Sequence, residues 1–188
     1  MADLRDELLA SFRWRSDPPV WPETRVFYAD YSQWWLRPTI LGAIGPALAS
    51  LFADTTVTVI MGSAARGSLL GPLVATHVGV GFAEVRKGAD RASNDDPWLV
   101  RRTPPDYRDR NLELAIRRSV LHSGDRVLFV DDWAASGGQA IACKQLTEDA
   151  GAVWAGAAVI VDGLESSATR RSLNLRSLLH LRELDHLP

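Results

Sequence analysis

Residues 126–139 hold the feature that most restricts the fold: a hydrophobic run, Val127-Leu128-Phe129-Val130, leads straight into Asp131-Asp132 and then Trp133-Ala134-Ala135-Ser136-Gly137-Gly138-Gln139. The uncharged run has the composition of a buried strand. Paired glycines allow a tight turn with φ > 0 and a close backbone approach to a ligand. Beyond them Ala142, Cys143, Leu146 and Ala150 recur with helical period, and Gly151 suits the position after a helix end. A buried strand that delivers a glycine turn to a helix N-terminus creates an anion site from unpaired N–H groups and the positive end of the helix dipole. Two carboxylates beside that cradle suit a ligand with a phosphate at one end and hydroxyls at the other, the form of a ribose 5-phosphate.

A second strand–turn–helix–strand unit precedes it. Thr55 to Met61 reads as a buried strand, Gly62-Ser63-Ala64-Ala65-Arg66-Gly67 as a turn and Leu69 to Val78 as a helix. Val80 to Val85 then reads as a parallel strand closed by Arg86-Lys87-Gly88. Further helices are predicted over Asp3–Trp14 and from Thr39, as cap, to about Ala53; further strands over Asn111–Ile116 and Val153–Val161. The tail from Leu164 alternates Leu with Arg and fits either helix or edge strand. Ligands of such sheets sit beyond the carboxyl ends of the strands. The turns at 62–67, 86–87 and 131–138 are therefore expected at one edge.

Two segments stand apart. Residues 20–38 are rich in aromatics, including Trp21, Phe27, Tyr28, Tyr31, Trp34 and Trp35, and suit either a packed cap or a hood that stacks on a planar ligand. Residues 88–110 are charged and proline-containing, and are expected to form a long lid loop.

Other readings fail on detail. Gly62 and Gly67 have phosphate-loop spacing, but Ser68-Leu69 stands where Lys-Ser/Thr is needed. Gly79-Val80-Gly81 enters a strand, so it is no dinucleotide fingerprint. His77, His122, His180 and His186 lack ligand spacing, and a single cysteine, Cys143, excludes a disulfide framework. In 188 residues, a net charge of −2 offers no general attraction for nucleic acid or an anionic membrane. The charged start and the absence of a long apolar run lead us to expect a cytoplasmic protein.

The segment Val127–Gly138 resembles the phosphoribosyl-pyrophosphate (PRPP) binding motif of type I phosphoribosyltransferases, most closely the adenine/purine enzymes. Gly62–Gly67 is similar to the family's Gly-x-Glu-Ala-Arg-Gly turn, and Val78–Phe82 with Val85-Arg86-Lys87 to its helix end, second strand and basic turn. Asn111–Leu114 and Ser123–Val127 fit the approach to the motif, so that the similarity spans about residues 27 to 162. The resemblance implies one α/β domain over 1–188: a parallel-sheet, Rossmann-like core at 39–163 with hood segments at 1–38 and 164–188.

The resemblance also implies roles. Asp131 and Asp132 would bind the ribose hydroxyls. Ala134, Ala135, Ser136, Gly137, Gly138 and Gln139 would hold the 5-phosphate, and Ala64, Ala65, Arg66 and Gly67 the pyrophosphate, with Arg86 and Lys87 in support. Asp131, Asp132 and Arg66 would be the catalytic residues. Phe27, Tyr28 and Trp133 are candidates for the base, Mg²⁺ would be held mainly through PRPP, and a homodimer is expected. The implied reaction moves the 5-phosphoribosyl group of PRPP to a purine-like base and releases pyrophosphate. Ala64 replaces the motif's Glu and Gln139 its usual Thr. These departures leave open a PRPP-binding regulator without catalysis, or phosphoribosyl transfer in a specialised biosynthetic pathway.

Overall fold

The computed structural model describes residues 2–16, 27–89, 95–104 and 111–184. Among them, α1 (Ala2–Ser11) is followed by β1 (Arg13–Ser16) and β2 (Phe27–Asp30), an antiparallel pair. The first helix thus ends three residues before Trp14. Trp14 instead turns its indole edge-on to Phe12 at 5.2 Å, while its backbone pairs with Ala29. After α2 (Ser32–Leu36), α3 (Pro38–Ser50) begins with Pro38, whose fixed φ and missing N–H suit a first helical position. Arg37, not Thr39, is its N-cap; the Thr39 hydroxyl donates to Glu7.

The main sheet takes β3 (Val59–Ser63), β4 (Gly81–Lys87), β5 (Trp98–Arg102), β6 (Glu113–Arg117), β7 (Arg126–Ala134), β8 (Val153–Asp162) and β9 (Leu175–His180). Their spatial order is β5-β6-β4-β3-β7-β8-β9. The run from β4 to β9 is parallel, with α4 (Gly67–Val78) between β3 and β4 and α5 (Gly138–Asp149) between β7 and β8. β6 and β5 add antiparallel, making the sheet mixed rather than wholly parallel. β5 lies inside the segment expected to be a loop: Leu99 packs against the core and Trp98–Arg102 zips onto β6, which outweighs the surrounding charge. Residues 90–94 and 105–110 of that expected lid lie outside the described residues, as do 17–26 and 185–188 of the hood segments. The tail is both helix and strand. Ser166 caps α6 (Ser167–Ser172) by accepting from the Thr169 N–H, and β9 then extends the core sheet beside β8 rather than joining a hood.

Period-two alternation sorts the central strands between two cores. Met61, Phe129 and Val159 face α5, whereas Ile60, Leu128, Val130 and Ile160 face α1, α3 and α4. The aromatic segment joins the second core: Trp34 is fully buried and donates its indole N–H to the Leu8 carbonyl. That is the packed-cap alternative, realised for Trp34.

Candidate active site

Because β3, β4, β7 and β8 are parallel, their carboxyl ends share one edge. β7 does not stop before its acids; it runs on through Asp131, Asp132, Trp133 and Ala134. Both carboxylates therefore sit on fixed, hydrogen-bonded backbone, and adjacent strand positions send them to opposite faces. Asp131 is 5% and Asp132 7% exposed. On one face Asp131 accepts from the Asp132 N–H (3.0 Å), and the Ser63 hydroxyl lies 3.4 Å from it and 3.2 Å from the Gln139 carbonyl oxygen. A hydroxyl has one proton, so Ser63 donates to one of these acceptors at a time. On the other face the Asp132 carboxylate accepts from the Tyr31 hydroxyl at 2.9 Å and lies 3.9 Å from the Arg66 guanidinium.

These settings have electrostatic consequences. Burial, and then the neighbouring Asp132 charge, pushes the Asp131 carboxyl well above the usual carboxylate range. Burial also pushes the Tyr31 phenol up to about 12, with the Asp132 charge adding to the effect, so it remains a proton donor at neutral pH.

Beyond the strand, Gly137 takes φ 78° and is the N-cap of α5, a geometry that suits glycine. The Gly138 N–H donates to the Ser136 hydroxyl at 3.3 Å. This turn borders a cavity of about 740 Å³ whose wall includes Asp131, Trp133 and every residue from Ala134 to Ala140. The phosphate-loop residues expected from the sequence thus come together with one of the two acids. The lining also includes Thr103, Pro104, Leu112 and the Gly163–Ser166 loop. That loop is held by Asp162, a 3% exposed carboxylate that accepts from the Leu164 N–H (2.9 Å) and from Arg170 (2.5 Å). Arg170 also donates to the Leu164 carbonyl.

The turn after β3 has a cis Ala64–Ala65 peptide bond, and its Ala64 N–H donates to the Val85 carbonyl on β4. Gly62 and Gly67 lie face to face, so close that a Cβ on Gly62 would stand 2.2 Å from the Gly67 oxygen. Arg66 points back toward Asp132, its guanidinium 5.1 Å from the centre of the Trp35 ring. Arg86 and Lys87 do not form a turn, as the sequence suggested. They remain in β4, exposed and paired with Ala115 and Leu114, because β6 gives that strand a partner to its end. The Arg86 guanidinium lies over Trp98 at 5.9 Å. Phe27 and Tyr28 lie on β2 and do not line the cavity; Trp133 does, stacked at 6.1 Å on Tyr31.

Sequence reasoning missed Tyr31, Ser63, Thr103 and the 163–166 loop. The loop carried a usable signal, since it follows a buried strand as the other turns do. Tyr31 stood in the aromatic segment with nothing to distinguish it from its neighbours.

Comparison with known proteins bears on the family and the fold. No family model matches the chain. It is 32% identical over 177 residues to the adenine phosphoribosyltransferase of Methylococcus capsulatus, covering 93% of this chain and 99% of that protein. The fold is that of the adenine phosphoribosyltransferase of Thermoanaerobacter pseudethanolicus, with a TM-score of 0.80, 23% identity and coverage of 94% and 99%. The Saccharomyces cerevisiae enzyme, solved with an imino-altritol bisphosphate and adenine, superimposes with a TM-score of 0.77 at 25% identity, covering 95% of this chain and 100% of that one. A shared sequence over nearly the whole length, on the same mixed sheet, makes this chain a member of the adenine phosphoribosyltransferase family.

Proposed function

We propose that the protein transfers the 5-phosphoribosyl group of PRPP to adenine, forming adenosine monophosphate and releasing pyrophosphate. The observation that carries this reading is the cavity itself, in which a buried acid of β7 adjoins the glycine turn and N-terminus of α5. The second acid, ion-paired to Arg66, ties that cradle to the turn after β3.

In this mechanism the N–H groups of residues 135–139 and the Ser136 hydroxyl receive the 5-phosphate at the positive end of α5. Asp131 and Asp132 accept from the ribose hydroxyls and hold the ring in place. The turn after β3 offers the N–H groups that follow Ala64, whose own N–H is bound to the Val85 carbonyl, to the pyrophosphate, with Arg66, Arg86 and Lys87 supplying positive charge. A nitrogen of adenine forms a bond to the anomeric carbon as the carbon–oxygen bond to pyrophosphate breaks, and the electron pair leaves with the pyrophosphate. The sugar becomes oxocarbenium-like. The acids face the growing positive charge and the arginines the growing negative charge, the type of interaction that contributes most to catalysis. Trp133, fixed against Tyr31, provides an aromatic wall for the base.

Mg²⁺ fits this donor set. The ion would be held mainly through phosphate oxygens and water, next to the Asp131 and Asp132 carboxylates at the end of β7. When bound, it would offset charge on the diphosphate. A homodimer in the cytoplasm belongs to the same reading, as the family suggests.

The test is incubation with PRPP, Mg²⁺ and a panel of nucleobases, followed by chromatography of nucleotides and assay of pyrophosphate. Adenosine monophosphate and pyrophosphate in equal amounts are expected. Absence of nucleotide with every base would overturn the reading.

A further inference from the structure

The Tyr31–Asp132–Arg66 contact has no counterpart among the roles assigned so far. Tyr31 lies 101 residues from Asp132 in sequence, yet its hydroxyl donates to Asp132 Oδ2 at 2.9 Å. The same oxygen is the one nearest the Arg66 guanidinium, at 3.9 Å. Among the described residues no donor is bonded to Asp132 Oδ1, which leaves that oxygen for a ligand hydroxyl. The phenol ring cannot drift, because Trp34 (5.0 Å), Trp133 (6.1 Å) and Trp35 (6.2 Å) surround it. Trp35 in turn lies under the Arg66 guanidinium, so one aromatic cluster holds both the tyrosine and the arginine.

We infer that Tyr31 is a positioning residue for PRPP: its hydroxyl fixes the rotamer of Asp132, turning Oδ1 to the ribose and keeping Oδ2 as the anchor for Arg66. A carboxylate held on one oxygen by a rigid donor presents the other in one direction, so less side-chain freedom is lost when the sugar binds. A flexible carboxylate would have to be ordered by PRPP itself. The phenol suits the task because it retains its proton at neutral pH. The cluster also gives a physical role to the aromatic segment beyond covering the core.

This inference rests on the phosphoribosyltransferase reading, and the experiment separates the two. PRPP binding is measured by calorimetry with Mg²⁺ for the wild type, Tyr31→Phe, Asp132→Ala and the double variant, with steady-state KM for PRPP and for adenine. Tyr31→Phe keeps the ring and its packing, so the protein should still fold, melting several degrees lower for the lost hydrogen bond to Asp132. It should bind PRPP about tenfold more weakly, the scale of one hydrogen bond to a charged group. The KM for adenine should stay within about twofold. In the Asp132→Ala background the same change should have little further effect, since its partner is gone. Unchanged PRPP binding in Tyr31→Phe, equal rises in both KM values, or losses that multiply in the double variant would each overturn the role of Tyr31 alone. A wild type that neither binds PRPP nor turns it over would overturn the transferase reading and the inference together.

Discussion

Replacing Gly62 with alanine tests whether the turn after β3 must lie flat against its own strand. Gly62 is hydrogen-bonded between two neighbours, with Glu84 of β4 on one side and Val130 of β7 on the other. Its backbone has nowhere to move. A Cβ there would lie 2.2 Å from the Gly67 oxygen and 2.6 Å from the Gly67 carbonyl carbon, where ordinary contact begins at 3.4 Å. The turn must therefore retreat by about 1.2 Å, and Gly67 is itself confined, since its own Cβ position is 2.9 Å from the Val130 oxygen. Overpacking of this kind costs about 2 kcal/mol, within a range of about 1–3. For a protein of this size that lowers the melting temperature by roughly 4–8 °C. The functional loss should be larger. Arg66 moves with the turn, and a misplacement of about 1 Å at a reacting centre costs on the order of a hundredfold in rate. Thermal melting and PRPP-dependent turnover are the assays, with Gly42→Ala as control. Gly42 lies in α3 with nothing within 4 Å of its Cβ position, so alanine there should add about 0.5–1 kcal/mol of stability and leave turnover unchanged. A Gly62→Ala protein with wild-type melting and turnover would refute the close-approach argument.

Three further outcomes follow from the site. Asp131→Asn should abolish most turnover yet raise the melting temperature at pH 8, because burial disfavours the charged carboxylate. The folded-state pKa lies above the ordinary 3.8, so the wild type loses stability as pH rises from about 4 through the folded pKa. The gap between variant and wild type should therefore close toward pH 4, and a gap independent of pH would refute the assignment. Arg170→Ala removes the donor that binds both Asp162 and the Leu164 carbonyl, leaving the Leu164 N–H at 2.9 Å and His180 at 3.5 Å as the partners of Asp162. It should cost about 2–4 kcal/mol in urea denaturation, and weaken PRPP binding by loosening the 163–166 wall. Chelation of Mg²⁺ should reduce turnover at least about a hundredfold, reversibly, while leaving the melting temperature of the ligand-free protein unchanged; a lower melting temperature would point to a site within the protein.

The strand, glycine turn and helix at 126–139 were legible because their signals are local. A hydrophobic strand, two acids, small residues and paired glycines before a helical period all fall within fourteen consecutive positions, 126–139. The turn at 62–67 was legible for the same reason. Segment 88–110 misled because its charge count outweighed Trp98-Leu99-Val100 in the reading, whereas in the fold those few residues find β6 and form an edge strand. The tail misled less: its alternation of Leu and Arg fits helix and strand alike, and it contains both.

By itself, the amino-acid sequence determined that a strand carrying two acids near its end would lead through a glycine turn into a helix, since turn chemistry and hydrophobic period act over neighbouring residues. Only the tertiary structure decided what those acids touch. Asp131 meets Ser63 and Asp132 meets Tyr31, partners 68 and 101 residues away. Strand alternation sends the two carboxylates to opposite faces, and the packing of each face selects the donor they find there. That selection depends on which distant segments share a core, a property of the folded chain that no local pattern encodes.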